Sequence, residues 1–284
     1  MSKINSNSTL FLIDGSTFIF RAYFAMYKAS QNRGSGFTRS DGTPTGALMA
    51  FCNMMWKIIT NGIDGVQPSH IAVIFDTKEK TFRSNIYPLY KANRDAPPED
   101  LIPQFALIHR AVEAFNIKCI SQIGYEADDL IATYSKIASE RDAQTIIISG
   151  DKDLMQLINN NVRMYDPMPG KEKFIDSNGV YDKFGVTPDK VVDVQALAGD
   201  STDNIPGVPG IGIKIASELI NEYSSLENLL SNAEEIKQDK RRENLLKYSE
   251  DARISYQLAL LNSSSPIELD IDDLANKHLD YDKI

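Results

Sequence analysis

No run of 18 or more apolar residues occurs in the chain, so no segment has the length of a helix that crosses a bilayer. The opening stretch, Met1 to Thr9, is polar and lacks the basic-then-apolar order of a secretory leader. Cysteine is scarce: Cys52 and Cys119 stand apart, with neither metal-ligand spacing nor the pattern of a disulfide framework, which points to a reducing, cytoplasmic setting. Histidine is scarcer still for a metal protein. His70, His109 and His278 are the whole supply, and none adjoins an acidic motif, which speaks against a His-rich zinc site. Internal repeats and low-complexity tracts are also missing. What remains is a 284-residue chain of ordinary globular composition, 42% hydrophobic and 24% charged, long enough for one large domain or one domain and a smaller companion.

Positive charge is in deficit too. Thirty Lys and Arg against 39 Asp and Glu leave a net charge of −9, which taken as a total argues against a nucleic-acid partner. The distribution argues the other way. From Arg21 to Arg39 there are four basic residues (Arg21, Lys28, Arg33, Arg39) and no acid, and from Lys78 to Arg94 five (Lys78, Lys80, Arg83, Lys91, Arg94) against Glu79 alone. Segregated charge lets one molecule hold cations at one place and a polyanion beside it.

Three β-branched runs, Leu10–Ile13, Ile71–Phe75 and Thr145–Ile148, read as buried parallel strands, each ending at a Gly or an acid: Asp14, Asp76 and Gly150-Asp151. Helical patterns at about 45–60, 101–116 and 126–141 alternate with them, which predicts an α/β fold, a mostly parallel twisted sheet flanked by helices. Ligands of such sheets bind beyond the carboxyl ends of the strands, where these acids fall. Beyond about residue 185 the strand signal fades and helical patterns take over. The expected division is therefore 1–185, an α/β core with a functional excursion at about 77–100, and 186–284, a helical region.

Nine carboxylates recur in tight motifs: Asp14; Asp76; Glu126, Asp128 and Asp129; Asp151 and Asp153; Asp200 and Asp203. Each could be a helix cap or a first-turn acid. Capping, however, uses one acid per helix, and two or three crowded at one start repel each other unless something cancels the charge. Divalent cations with a taste for oxygen do so, and two of them about 4 Å apart can drive phosphodiester hydrolysis. Mg²⁺ or Mn²⁺ is the expected metal, in two ions.

Two further segments bear on a polyanion. Gly207, Gly210 and Gly212, with Lys214, form a Gly/Pro-rich turn before a helix, which suits either a phosphate at the helix start or a plain helix–helix connector. In the 77–100 excursion, Arg83, Tyr87, Tyr90, Lys91 and Arg94 interleave rings with bases, as suits single-stranded nucleic acid or a solvated amphipathic helix.

The ordered motifs Phe-Arg-Ala-Tyr (20–23), Phe-Asp-Thr-Lys-Glu-Lys-Thr-Phe-Arg (75–83), Tyr-Lys-Ala-Asn-Arg (90–94), Tyr-Glu-Ala-Asp-Asp (125–129), Gly-Asp-Lys-Asp-Leu (150–154) and Gly-Asp-Ser-Thr-Asp-Asn-Ile-Pro-Gly-Val-Pro-Gly-Ile-Gly (199–212) run from about residue 9 to about 270. Together they resemble the 5′ nuclease domain of bacterial DNA polymerase I, related to phage 5′ exonucleases and flap endonucleases. The resemblance implies a PIN/resolvase-like core with a helical arch at 77–100 and a helix–hairpin–helix element behind it. It implies a DNA substrate with nicks, flaps or 5′ ends, cut by a two-metal mechanism in primer removal and repair. Asp14, Asp76, Glu126, Asp128 and Asp129 would surround the first metal, and Asp151, Asp153, Asp200 and Asp203 the second. Lys91 and Arg83 would be catalytic; Lys78, Arg83 and Arg94 would line the arch; Arg21 and Tyr23 would lie near the substrate. Gly207, Gly210, Gly212 and Lys214 would grip duplex backbone, in this family often around K⁺. Glu79 stands where the family often has Gly, and Phe20 where it often has Tyr; neither touches the acidic set.

Two rival readings are weaker. An aspartate-nucleophile phosphatase needs a second Asp two residues after the first, and position 16 is Ser. A non-catalytic branched-DNA-binding module gains nothing from nine acids. Whether a polymerase follows Asp282-Lys283-Ile284 or the nuclease stands alone is left open by the sequence, and a monomer is the expected state.

Overall fold

In the computed structural model, described for residues 3–33, 37–167 and 173–277, the three β-branched runs form the centre of a six-stranded sheet. In chain order the elements are β1 (Thr9–Asp14), α1 (Gly15–Arg33), α2 (Gly46–Asn61), β2 (His70–Ile74), α3 (Arg83–Ile86), α4 (Ile102–Ala114), β3 (Lys118–Ile120), α5 (Ala127–Glu140), β4 (Gln144–Ile148), β5 (Val162–Asp166), β6 (Lys173–Ile175) and α6 (Ser177–Phe184). Five helices follow: α7 (Val191–Ala198), α8 (Ile213–Tyr223), α9 (Leu226–Ser231), α10 (Asp239–Lys247) and α11 (Ser249–Ala259). The strand order is β3-β2-β1-β4-β5-β6, parallel throughout except that β6 runs antiparallel to β5. The expected α/β architecture with a helical region behind it is the one found. No described helix is long and apolar enough to cross a membrane.

Alternation along the central strands divides the core in two. Leu10 and Leu12 of β1, Ala72 and Ile74 of β2 and Ile147 of β4 face α5 and the helical region. Phe11, Ile13, Ile71, Val73, Ile146 and Ile148 face α1, α2 and α4. Both faces are covered, which is why these strands read as continuous apolar runs rather than as alternating ones. The first cluster continues without a break into Val194, Leu197, Leu219 and Leu245, so the helical region shares its core with the sheet.

The excursion at 77–100 departs from expectation. It holds only the four-residue α3, followed by turns through residues 88–94, and makes no helical arch. Pro88, Pro97 and Pro98 remove backbone donors and disfavour helix before them. The segment is instead docked on the loop after α7: Lys91 N–H donates to Asp203 O at 2.9 Å, Asn93 Nδ2 to Ser201 O at 2.7 Å, and Asn204 Nδ2 returns to Leu89 O at 2.7 Å. Tyr90 packs with Ile205 and Leu258 beneath it.

After α11 the chain runs back along the sheet domain as a strap. Asn262 N–H donates to Asp129 Oδ1, Tyr134 Oη to Leu269 O, and Asn276 N–H to Ser69 O at the start of β2.

Candidate functional site

The winding of the sheet reverses between β1 and β4, and the chain places acids at that opening. Asp14 ends β1, Asp76 follows β2 by two residues, and Asp151 and Asp153 follow β4 across Ser149-Gly150. Glu126 caps α5, with Asp128 and Asp129 in its first turn. Asp200 and Asp203 lie in the loop after α7.

These nine carboxylates sort by what neutralises them. Four are paired with cations. Asp129 is fully buried and takes the Arg83 guanidinium as a two-pronged pair, at 2.7 and 2.8 Å, while its oxygens also accept from the N–H groups of Glu126 and Asn262. Glu126 accepts from Lys91 Nζ at 2.9 Å and Tyr90 Oη at 3.1 Å. Asp203 accepts from Arg94 Nη2 at 2.5 Å and Nε at 3.1 Å. Asp200 pairs with Lys152 Nζ at 2.5 Å; burial pushes its carboxyl up, but the Lys152 contact and the Thr202 hydrogen bonds together hold it below the usual range.

The other five have no ion pair among the described residues. Asp14 accepts from Thr17 Oγ1 (2.5 Å), Thr17 N–H (3.0 Å) and Ser149 Oγ (2.8 Å). Burial pushes it up to about 6 in spite of them, with a contribution from Asp76. Asp76 accepts from Ser16 Oγ at 2.7 Å and Ala127 N–H at 2.9 Å. Asp151 accepts from Asp153 N–H at 2.9 Å. Asp153 accepts from Gln195 Nε2 at 2.5 Å and is pushed up to about 7, first by burial and then by the Asp151 charge. Asp128 makes no hydrogen bond among the described residues; burial and the charges of Asp151, Asp14 and Asp76 raise it well above the usual carboxylate range.

Five carboxylates held by hydroxyl, amide or nothing cost free energy when all are ionised. Among the described residues no three His, Cys, Asp or Glu already converge as a cage for one ion. The donor chemistry nevertheless fits a hard divalent cation, since every donor is oxygen, their repulsion is only partly offset by Lys91 and Lys152, and an ion that keeps several waters needs few direct carboxylates.

Several expected roles change with the geometry. Arg83 is 1% exposed and bonds Asp129, Leu258 O and Leu260 O, so it is a buried tie between α5 and the end of α11, and does not line an arm. Asp129, its partner, is closed to a metal for the same reason. The Tyr23 hydroxyl donates to Asp100 at 2.8 Å and is pushed up to about 12 by burial and by Asp100, a packing role in α1. Arg21 pairs with Asp166 at 2.7 Å against Gly150, beside the acidic limb. Lys91 and Arg94 meet acids across the opening. Lys78, with Lys80 and both of them, lines an open cleft of about 400 Å³.

The Gly/Pro turn joins α7 to α8. Gly199 and Gly207 both have positive φ (67° and 60°), and a Cβ on Gly207 would come within 2.4 Å of Gly199 N, so the crossing admits no side chain. Gly210 (φ 79°) and Gly212 leave exposed backbone before α8, whose N-cap Gly212 offers no side-chain hydrogen bond; Lys214 beside it is exposed. The hydroxyls of Ser16, Thr17 and Ser149, together with Lys152 and Gln195, escaped the sequence reading. Ser149 and Lys152 sit inside or beside the Gly-Asp-Lys-Asp motif and could have been found from it. Gln195 lies in an apolar helix and carried no signal.

A profile described as 5′-3′ exonuclease, N-terminal resolvase-like domain, matches residues 9–185, and one described as 5′-3′ exonuclease, C-terminal SAM fold, matches residues 186–282. The DNA polymerase I of Rhizobium leguminosarum is 49% identical over 276 residues, 96% of this chain but 26% of that protein. The chain thus spans about a quarter of that relative's length. The 5′-3′ exonuclease of Aquifex aeolicus is 35% identical over 276 residues, 97% of this chain and 89% of that one. Among solved structures, a bacteriophage T5 flap endonuclease in complex with DNA and metal ions shares the fold with a TM-score of 0.72 at 21% identity, over 90% of each chain. A zinc-bound T5 5′-exonuclease aligns with a TM-score of 0.70, again at 21% identity and over 90% of each chain.

Proposed function

The chain belongs to the 5′-3′ exonuclease family, and on that premise we propose that it hydrolyses DNA phosphodiester bonds at 5′ ends, nicks and flaps, using two divalent ions, Mg²⁺ or Mn²⁺. The observation that carries this reading is the set of five carboxylates, Asp14, Asp76, Asp128, Asp151 and Asp153, gathered at the opening of the sheet with no ion pair to any of them among the described residues. DNA and metal ions in the phage T5 neighbours support it by analogy. Those five would hold the ions. Glu126, Asp200 and Asp203 would serve once their lysine and arginine partners turn to phosphate. What the ions supply is charge neutralisation and an activated water.

The chain's own residues do the rest. Ser149 and Thr17 keep Asp14 aimed at the opening, and Ser16 does the same for Asp76. Lys91 and Arg94, already at the rim, exchange a carboxylate for the DNA backbone, with Lys78 further out in the cleft. Gly210, Gly212 and Lys214 hold duplex backbone at the start of α8, which is also the place for a K⁺ ion; Gly207, expected among them, is buried with its N–H donated to Ser255 Oγ at 2.9 Å and shapes the turn instead. Such contacts fix register without reading sequence. Chromosomal repair and primer removal by a monomer in the cytoplasm, joined to a polymerase in the longer relatives, complete the reading. A 5′-labelled flap incubated with and without Mg²⁺ tests it: cleavage in Mg²⁺ and none in chelator is expected, and full activity after exhaustive chelation would overturn it.

A further inference from the structure

One hydrogen-bonded string crosses the opening from β1 to α7. Ser149 Oγ donates to Asp14 Oδ2 at 2.8 Å; Asp151 N–H donates to Ser149 Oγ at 3.0 Å; Asp153 N–H donates to Asp151 Oδ1 at 2.9 Å; Gln195 Nε2 donates to Asp153 Oδ1 at 2.5 Å. Four of the five groups belong to the sheet domain. The fifth comes from the helical region, and its placement is odd for a core residue.

α7 reads Val-Val-Asp-Val-Gln-Ala-Leu-Ala, and Val191, Val194, Ala196 and Leu197 of it are buried in the apolar core. Gln195 itself is 7% exposed, and its Oε1 is buried with no partner among the described residues. An orphaned buried acceptor destabilises the fold, a cost that an apolar residue of the same length would avoid. Packing alone therefore does not account for an amide here. What the amide does provide is one N–H on the carboxylate of Asp153. The two carboxylates in the loop after α7 are held by cations, Asp200 by Lys152 and Asp203 by Arg94, whereas Asp153 is held by a neutral donor. A neutral donor favours the ionised carboxylate and fixes its rotamer without adding a charge that would compete with a divalent ion. The same limb is tied a second time, because Gln156 Nε2 donates to Asp153 O and to Ala259 O at the end of α11.

We propose that Gln195 is a positioning residue for the acidic centre, lent by the helical region, which orients Asp153 toward the divalent ion. This rests on the metal-dependent reading above. The role is specific to the limb after β4; Asp14 and Asp76, held by hydroxyls of their own domain, do not depend on it.

The test replaces the amide with a side chain of equal length and no donor. Mn²⁺ binding to the DNA-free protein is followed by electron paramagnetic resonance for wild type, Gln195→Met and Gln195→Leu, with melting temperature in chelator and kcat and KM on a flap substrate in Mg²⁺. Expected is a loss of about tenfold in Mn²⁺ affinity at one site, a lower kcat with KM nearly unchanged, and a melting temperature in chelator equal to or above wild type. Wild-type Mn²⁺ affinity in either folded variant overturns the assignment, as does a weakened affinity that appears only with a lowered melting temperature, which makes Gln195 a packing residue. A wild-type protein that binds no Mn²⁺ sinks the metal-dependent reading itself, so the two failures are distinguishable.

Discussion

The Nζ of Lys91 stands 2.9 Å from Oε2 of Glu126, which ties the docked segment to the N-cap of α5. The same nitrogen lies 3.7 Å from Asp203, and Lys91 holds a left-handed backbone (φ 55°) that only Gly and a few polar residues adopt without cost. Its proton is held more firmly than usual: burial opposes the charge, but Glu126, Tyr90 and Asp203 outweigh it. The cation thus occupies, in the DNA-free protein, acids that a metal-loaded centre would use.

Lys91→Ala should therefore act in opposite directions on two measurements. Single-turnover cleavage slows by more than about tenfold, or roughly 1.4 kcal/mol of barrier. Mn²⁺ affinity without DNA rises, because Glu126 and Asp203 lose a competitor. Affinity and rate falling together would show that Lys91 holds the acids in place instead of competing for them.

Arg83 leads to a prediction about stability. Removing it strands Asp129 as a buried charge, a loss of about 3–5 kcal/mol. Arg83→Lys should recover little, since an ammonium cannot reproduce the two-pronged contact or reach Leu258 O and Leu260 O as well. Urea denaturation of Arg83→Ala and Arg83→Lys measures this. Wild-type midpoints in both, with cleavage lost, would return Arg83 to the catalytic group.

Asp128 presents the reverse case. It has three acidic neighbours, is half-buried, and has no partner among the described residues. Asp128→Asn should raise the melting temperature in chelator while cleavage in Mg²⁺ falls by orders of magnitude, a trade of stability for function. DNA binding in chelator should hold or tighten, as one repelling charge has gone. Equal loss of binding and cleavage in a folded variant would make Asp128 a DNA-positioning residue.

Proton binding should follow the same logic. Asp14 and Asp153 rise from 3.8 to about 6 and about 7, so the folded chain holds their protons more tightly than the unfolded one. Their stabilising contribution is complete below about 3.8 and is lost as pH climbs through 6 to 7. In chelator the melting temperature should therefore drop by about 3 °C or more between pH 5.5 and 8, and saturating Mg²⁺ should shrink the drop. A flat or rising profile in chelator counts against burial of these acids.

At the Gly/Pro turn, DNA affinity should weaken with salt, and Lys214→Ala should flatten the slope of log affinity against log salt by about one unit. An unaltered slope removes Lys214 from the phosphate contacts.

The central strands, α2, α4 and α5 were legible because burial on two faces and helical periodicity leave strong patterns. β3 and β6 are three residues each and β5 alternates at the flank, so none produces a run long enough to read. α1 went unread because Phe-Ile-Phe-Arg-Ala-Tyr-Phe carries rings on all sides. The acids were found as residues but not as roles. Which of them meets a cation depends on a segment that finds its acid partners 35 to 109 positions further along the chain, and Arg83, reaching Asp129 and, 175 positions away, Leu258 O at once, shows how little local spacing says about such a contact.

The strap after α11 determines where the molecule can be held. It brings Asn276 against Ser69 at the amino end of β2, while Asp272 bonds the N–H of Ile4, so both ends of the described chain lie along the amino edge of the sheet. The carboxylates crowd the opposite edge, a strand length away, on the order of 17 Å. A bead, a surface linker or a fluorescent reporter attached at either end would thus approach from behind. An immobilised sample would keep its acidic edge open to solution, and a dye there would sense global unfolding in preference to occupancy of the acidic centre.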